Sequence, residues 1–91
     1  MILGIREFQR LPRFDRAYKK LEPQIQFAVD DAIRDLRANP IPPGRKVKRD
    51  KAARDIWTAR VNRNYRFSFE LKDGICSLRN VDSHDELYAS T

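Results

Sequence analysis

The apolar positions of this chain recur at helical spacing in its first half and alternate with polar ones in its second. Phe14, Tyr18 and Leu21 follow one another at i, i+4 and i+7. After Pro23, Ile25, Val29, Ala32, Ile33 and Leu36 repeat that stripe. Two amphipathic helices follow from this spacing, with Pro23 in the first turn of the second and Asn39-Pro40 as its stop. Arg16, Lys19, Lys20, Arg34 and Arg37 fall on the opposite, solvated faces. Ahead of the helices, the apolar residues 1–8 read as a strand closed by Leu11-Pro12.

Beyond the Pro-rich turn at 40–44 the period becomes two. Trp57, Ala59 and Val61 alternate with Ile56, Thr58 and Arg60, and Phe67, Phe69 and Leu71 alternate with Arg66, Ser68 and Glu70. Asp73-Gly74 is a two-residue hairpin signal leading into a third strand over 75–81. With Asn62-Arg63-Asn64 as a loop, Ala59 meets Phe67, Trp57 meets Phe69, Thr58 meets Ser68 and Arg60 meets Arg66. The second turn would pair Leu71 with Cys76, Phe69 with Leu78 and Ser68 with Arg79. The expected architecture is therefore α+β. An N-terminal strand, a helical hairpin and a three-stranded antiparallel meander form one four-stranded sheet with both helices on one face. Thr58, Arg60, Arg66, Ser68, Glu70 and Arg79 gather on the polar face.

Composition narrows the chemistry. The 91 residues suit one domain spanning 1–91, and their net charge of +6 favours an anionic partner, nucleic acid first. That charge is concentrated: residues 44–66 hold nine basic and two acidic side chains. Arg45, Lys46, Lys48, Arg49 and Lys51 form its densest run. A single cysteine and a single histidine cannot build a tetrahedral zinc site, and Cys76 lies mid-strand on core-facing parity, so no metal is expected. With only three glycines, neither phosphate-cradling glycine motif fits, so no cofactor is expected. Arg6 interrupts the apolar start, and no apolar run reaches membrane-span length. A cytoplasmic protein with no membrane association is the expectation.

Arg60 facing Arg66 across a strand pair costs a few tenths to about 1 kcal/mol unless an anion or acidic side chain lies between them. His84, the only histidine, is the one side chain ordinarily suited to proton transfer near neutrality, and Asp82, Asp85 and Glu86 would favour its protonated form. Tyr88, four residues on, shares its face if the segment makes a helical turn.

The ordered set Phe14-Asp15-Arg16-Ala17-Tyr18-Lys19-Lys20-Leu21, Ala32-Ile33 through Leu36 to Asn39-Pro40, Trp57-Thr58-Ala59-Arg60-Val61, Tyr65-Arg66-Phe67, and Val81-Asp82-Ser83-His84-Asp85-Glu86-Leu87-Tyr88 resembles the RelE/ParE superfamily of bacterial toxin–antitoxin toxins. The resemblance implies a four-stranded antiparallel sheet carrying two helices on one side. In the RelE-like branch it implies ribosome-dependent, metal-free cleavage of mRNA by a ribose 2′-hydroxyl attacking the adjacent phosphate. By motif, Arg60 and Arg66 fall where the family contacts that phosphate, and His84 and Tyr88 fall in the segment supplying acid–base or stacking groups. Arg45, Lys46, Lys48, Arg49, Lys51, Arg63 and Arg79 would then hold RNA or ribosomal backbone. Thr58 departs from the pattern, standing where active members often carry a second basic residue, and His84 stands where some carry Arg. The implied partners are an acidic cognate antitoxin, the ribosome and mRNA. A ParE-like inhibitor of DNA gyrase without catalytic chemistry, and a degenerate, non-toxic member binding RNA or antitoxin, are the alternatives.

Overall fold

The computed structural model describes residues 2–53 and 55–83. Its elements are β1 (Glu7–Arg10), α1 (Pro12–Lys19), α2 (Pro23–Asp35), a 3-10 turn (Pro43–Arg45), β2 (Lys48–Arg49), β3 (Ile56–Arg60), β4 (Tyr65–Lys72) and β5 (Ile75–Ser83). The strands form one five-stranded sheet in the order β1-β5-β4-β3-β2. Among the described residues no helix is long and apolar enough to cross a membrane.

Both helices begin on proline, whose fixed φ suits the first turn and whose missing N–H would have no intrahelical partner there. Phe14 of α1, Val29 and Ala32 of α2, and Leu36 just beyond it are buried in the same cluster as Ala59, Phe67, Phe69, Cys76, Leu78 and Val81. These strand residues lie on one face of the sheet, so the helices cover that face. Phe14, Phe67 and Phe69 are fully buried, and removing each from water stabilises the fold by about 1.5–3 kcal/mol. Trp57 stacks on its cross-strand neighbour Phe69 at 6.4 Å between ring centroids.

The β3–β4 register is the expected one throughout, Arg60 opposite Arg66 included. Four features differ from expectation. The first strand lies at Glu7–Arg10 and not over residues 1–8; Gly4, at φ +66°, stands in the non-strand stretch ahead of it. It runs parallel to β5, with Phe8 beside Cys76 and Arg10 beside Leu78, so the sheet is mixed. The reason lies in the Asp73-Gly74 turn, where the carbonyl of Gly74 accepts the N–H of Arg6 (2.7 Å) and the Arg6 side chain donates to the Asp73 carbonyl. β1 thus starts where β5 starts, and the two must run the same way. Next, a fifth strand, β2, pairs Lys48 with Thr58 and Arg49 with Trp57. Two charged residues carry no alternation by which sequence could reveal them.

The third difference is a bulge. Leu71 meets Cys76 and Phe69 meets Leu78 as expected, but Ser68 lies opposite Asn80 and not Arg79, because β5 carries one extra residue there. Unbroken alternation would set Phe67 against Asn80. The bulge sets it against Val81 instead and keeps an apolar pair on the core face. Finally, the polar face is largely covered. Thr58, Arg66, Ser68, Ser77 and Asn80 are all buried, which a solvated sheet surface would not show.

Candidate nucleic-acid interface

Two rows of side chains cross the sheet on the face opposite the helices. One runs Lys48, Thr58, Ser68, Asn80, and the next runs Arg60, Arg66, Asp82. The strand pairing alone creates this set, from four segments widely separated in sequence. Thr58, Ser68 and Asn80 give the first row neutral hydrogen-bonding groups. Ser68 is fully buried, and its Oγ has no hydrogen-bond partner among the described residues.

In the second row Arg66 is 8% exposed whereas Arg60 is half-buried, and the Nε of Arg60 donates to the Asn62 carbonyl at 3.1 Å. Burying a guanidinium without compensating charge or hydrogen bonds is costly. The bulge contributes here, because it brings Asp82 directly across from Arg66. The like-charge pair therefore has an acidic neighbour on one side, and Arg60 remains the more accessible cation. Asp82 also accepts the backbone N–H of Ser83 at 2.8 Å, which fixes its carboxylate at the strand end.

The basic run divides once its fold is known. Arg45 turns inward: its Nε donates to Asp35 at 2.8 Å and its Nη1 to the Val61 carbonyl at 2.9 Å, tying α2 to the end of β3. Lys46, at φ +46°, follows the 3-10 turn and is exposed. Lys48 shares its register position with Thr58 on the candidate face. Arg49 has the opposite parity, and its guanidinium lies 5.4 Å from the Trp57 ring centroid. Lys51, in the bend after β2, and Arg63, in the β3–β4 turn, are exposed. Arg79 occupies the bulge and is half-buried. His84 and Tyr88 lie outside the described residues.

Cys76 is buried, and burial pushes its thiol up to about 12, so it stays protonated and unreactive near neutrality. No group of three or more metal-ligating side chains occurs among the described residues. Sequence reasoning missed Asn80 and the position of Asp82 opposite Arg66. The signal was available in the spacing of Leu78 and Val81, which, three residues apart, cannot share one strand face without an inserted residue.

No family model and no curated protein matches the chain. Solved structures do. The Escherichia coli DinJ-YafQ toxin–antitoxin complex matches with TM-score 0.74 at 13% identity, over 89% of this chain and 94% of that one. The RelB-RelE antitoxin–toxin complex of Methanococcus jannaschii matches with TM-score 0.72 at 16% identity, over 91% and 98%. The RelBE2 toxin–antitoxin complex of Mycobacterium tuberculosis matches with TM-score 0.68 at 23% identity, over 86% and 96%. A core-packed helical hairpin, the antiparallel run β2 to β5 and an N-terminal strand on its outer edge together give this chain the fold of the RelE/ParE superfamily of toxins.

Proposed function

We propose that the protein is the toxin of a toxin–antitoxin pair and cleaves mRNA on the ribosome. The observation that carries this reading is the cross-strand Arg60–Arg66 pair with Lys48 in the next row of the same face. Cleavage by the neighbouring 2′-hydroxyl forms an O2′–P bond and breaks the P–O5′ bond. The fragments end in a 2′,3′-cyclic phosphate and a 5′-hydroxyl. Charge builds on the phosphorane oxygens as this occurs, and fixed cations aimed at that position lower the barrier. Arg66, mostly covered, supplies a rigid cation, and the more open Arg60 meets the non-bridging oxygens. His84 and Tyr88 take the two proton transfers, the first from the 2′-hydroxyl and the second to the leaving 5′-oxygen. Lys46, Lys48, Lys51 and Arg63 bind flanking backbone, and an acidic antitoxin neutralises the whole surface. The complexes among the structural neighbours support that last partner.

The test is primer extension on an mRNA in a reconstituted translation system. Wild-type protein should give cuts only when ribosomes translate the message. Arg66→Ala should lose at least about a hundredfold in rate, in line with removal of one transition-state charge donor, while staying folded by circular dichroism at a lowered melting temperature, because a buried cation opposite Asp82 is lost. Cuts undiminished in the variant would remove Arg66 from the mechanism. Inhibited supercoiling by gyrase in a ribosome-free assay, with mRNA intact, would replace the whole reading.

A further inference from the structure

An apolar cavity of about 410 Å3 lies in the connection between α2 and β2, lined by Pro40, Ile41, Pro42, Pro43, Lys46 and Val47. Its walls are fixed by the fold. Ile41 is buried and Val47 packs against the core cluster. The 3-10 turn closes as the N–H groups of Arg45 and Lys46 donate to the carbonyls of Pro42 and Pro43, each at 3.1 Å. The Arg45 side chain, tied to Asp35 and to the Val61 carbonyl, fastens that turn to α2 and β3. Pro40, Pro42 and Pro43 are exposed, so aliphatic ring surface meets solvent beside a rigid aliphatic floor. Lys46, exposed as well, is the one charged side chain among the described lining residues. Lys48, two residues on, belongs to the row of the candidate face, so the cavity continues the basic surface.

The chemistry of the walls narrows the occupant. Proline has no backbone N–H, so three of these residues cannot donate to the main chain of an extended peptide. An unpaired nucleobase needs no such ladder. Aliphatic groups can cover its faces while its polar edge stays in water, and its own chain brings a phosphate to a neighbouring cation. We infer that the cavity between α2 and β2 holds an unpaired nucleobase of single-stranded RNA, its ring against Pro42 and Val47 and its phosphate on Lys46. Because only the faces of the ring are gripped, the cavity accepts any base and sets the position of the strand without choosing a sequence. The inference rests on the RNA-binding part of the proposed function and not on cleavage.

The probe is fluorescein-labelled 2′-O-methyl hexauridylate, which has no free 2′-hydroxyl to attack a phosphate, measured by anisotropy on the full chain without ribosomes. Its counterpart carries the same phosphates and no bases. Wild-type protein should bind the base-bearing oligomer at least about fivefold more tightly, a difference of about 1 kcal/mol, and that oligomer should shift the amide resonances of Ile41 and Val47. The double variant Pro42→Ser, Val47→Ser, folded by circular dichroism, should bind the two oligomers equally. Lys46→Gln should weaken both alike. Equal binding of the two by wild type would overturn the inference, as would a preference retained in the double variant or an undiminished affinity in Lys46→Gln. Shifts of the Ile41 and Val47 amides by acetyl-EDELEVDLEE-amide and not by the oligomer would also overturn it and give the cavity to a protein partner. Binding of neither oligomer would remove the inference and the RNA-binding part of the proposed function together. A base preference found in a protein that leaves mRNA uncut on ribosomes would support the inference and overturn cleavage alone.

Discussion

At the scale of single residues, burial decides which groups can take part in chemistry. Cys76 is the clearest case. Its folded-state pKa, about 12, lies above its ordinary value of 9.0 because the core excludes water from the thiol. The unfolded chain gives up the thiol proton at lower pH than the folded one, so stability is complete below pH 9 and declines as pH rises from 9 toward 12. Tyr18 adds a similar alkaline loss, its hydroxyl raised first by burial and then by its hydrogen bond to Asp30. Thermal melts of wild type and Cys76→Ala across pH 8–11 should therefore show a steeper alkaline decline in the wild type. Parallel curves would mean that the thiol does not titrate differently in the two states. The cysteine's inertness was legible in sequence, because its parity matched that of Phe69 and Leu71. The covering of Arg66 was not, since alternation assigns a residue to a face but says nothing about what lies over that face.

At the scale of elements, the chain reveals most where its pattern is longest. The helical stripes and the Asp73-Gly74 turn each rest on several residues or a strong local preference, and both are realised. Asp73 and Gly74 both adopt positive φ, which is what a tight hairpin of this type demands. β2 and the parallel pairing of β1 stayed hidden because two-residue strands and long-range edge contacts leave no periodic trace. The bulge between these extremes yields a test. Deleting Arg79 removes the extra residue yet keeps Ser68 with Asn80 and Phe67 with Val81. Deleting Ser77 moves Leu78 off the core face, a loss comparable to truncating a buried leucine, about 2–5 kcal/mol. Denaturant unfolding should rank the Arg79 deletion well above the Ser77 deletion in stability. The reverse order would show that the bulge itself, and not the apolar register it restores, holds this part of the sheet.

At the scale of the whole molecule, the positive charge is a composite of structural and surface cations. Arg45 belongs to the fold: its contacts to half-buried Asp35 and to the carbonyl of buried Val61 make Arg45→Ala a stability variant, costing about 1–2 kcal/mol as those two acceptors lose their partner. Lys46, Lys48 and Lys51 point outward, and neutralising them should leave the melting temperature nearly unchanged. RNA binding should separate the two groups. In a plot of log affinity against log salt, each lysine that meets a phosphate should lower the slope by about 0.7 when lost, whereas Arg45→Ala should leave the slope as it is. A reduced slope in Arg45→Ala would move that residue from the scaffold to the binding surface. Sequence showed where charge is concentrated, but not this division, because Arg45 and Lys46 are adjacent and differ only in which way the 3-10 turn aims them.

The parallel pairing of β1 with β5 has a consequence for synthesis. Residues 7–10 are made well before their partners at 75–78. The two-helix hairpin can assemble early from local contacts, but the first strand must wait, edge exposed, until β5 has emerged. Contacts this distant in sequence form slowly, because the ends of a long loop must meet before any pairing stabilises them. A nascent chain halted anywhere before residue 75 therefore loses two strands of the sheet and not one, together with the cross-strand partners that bring Asn80 and Asp82 to the candidate face.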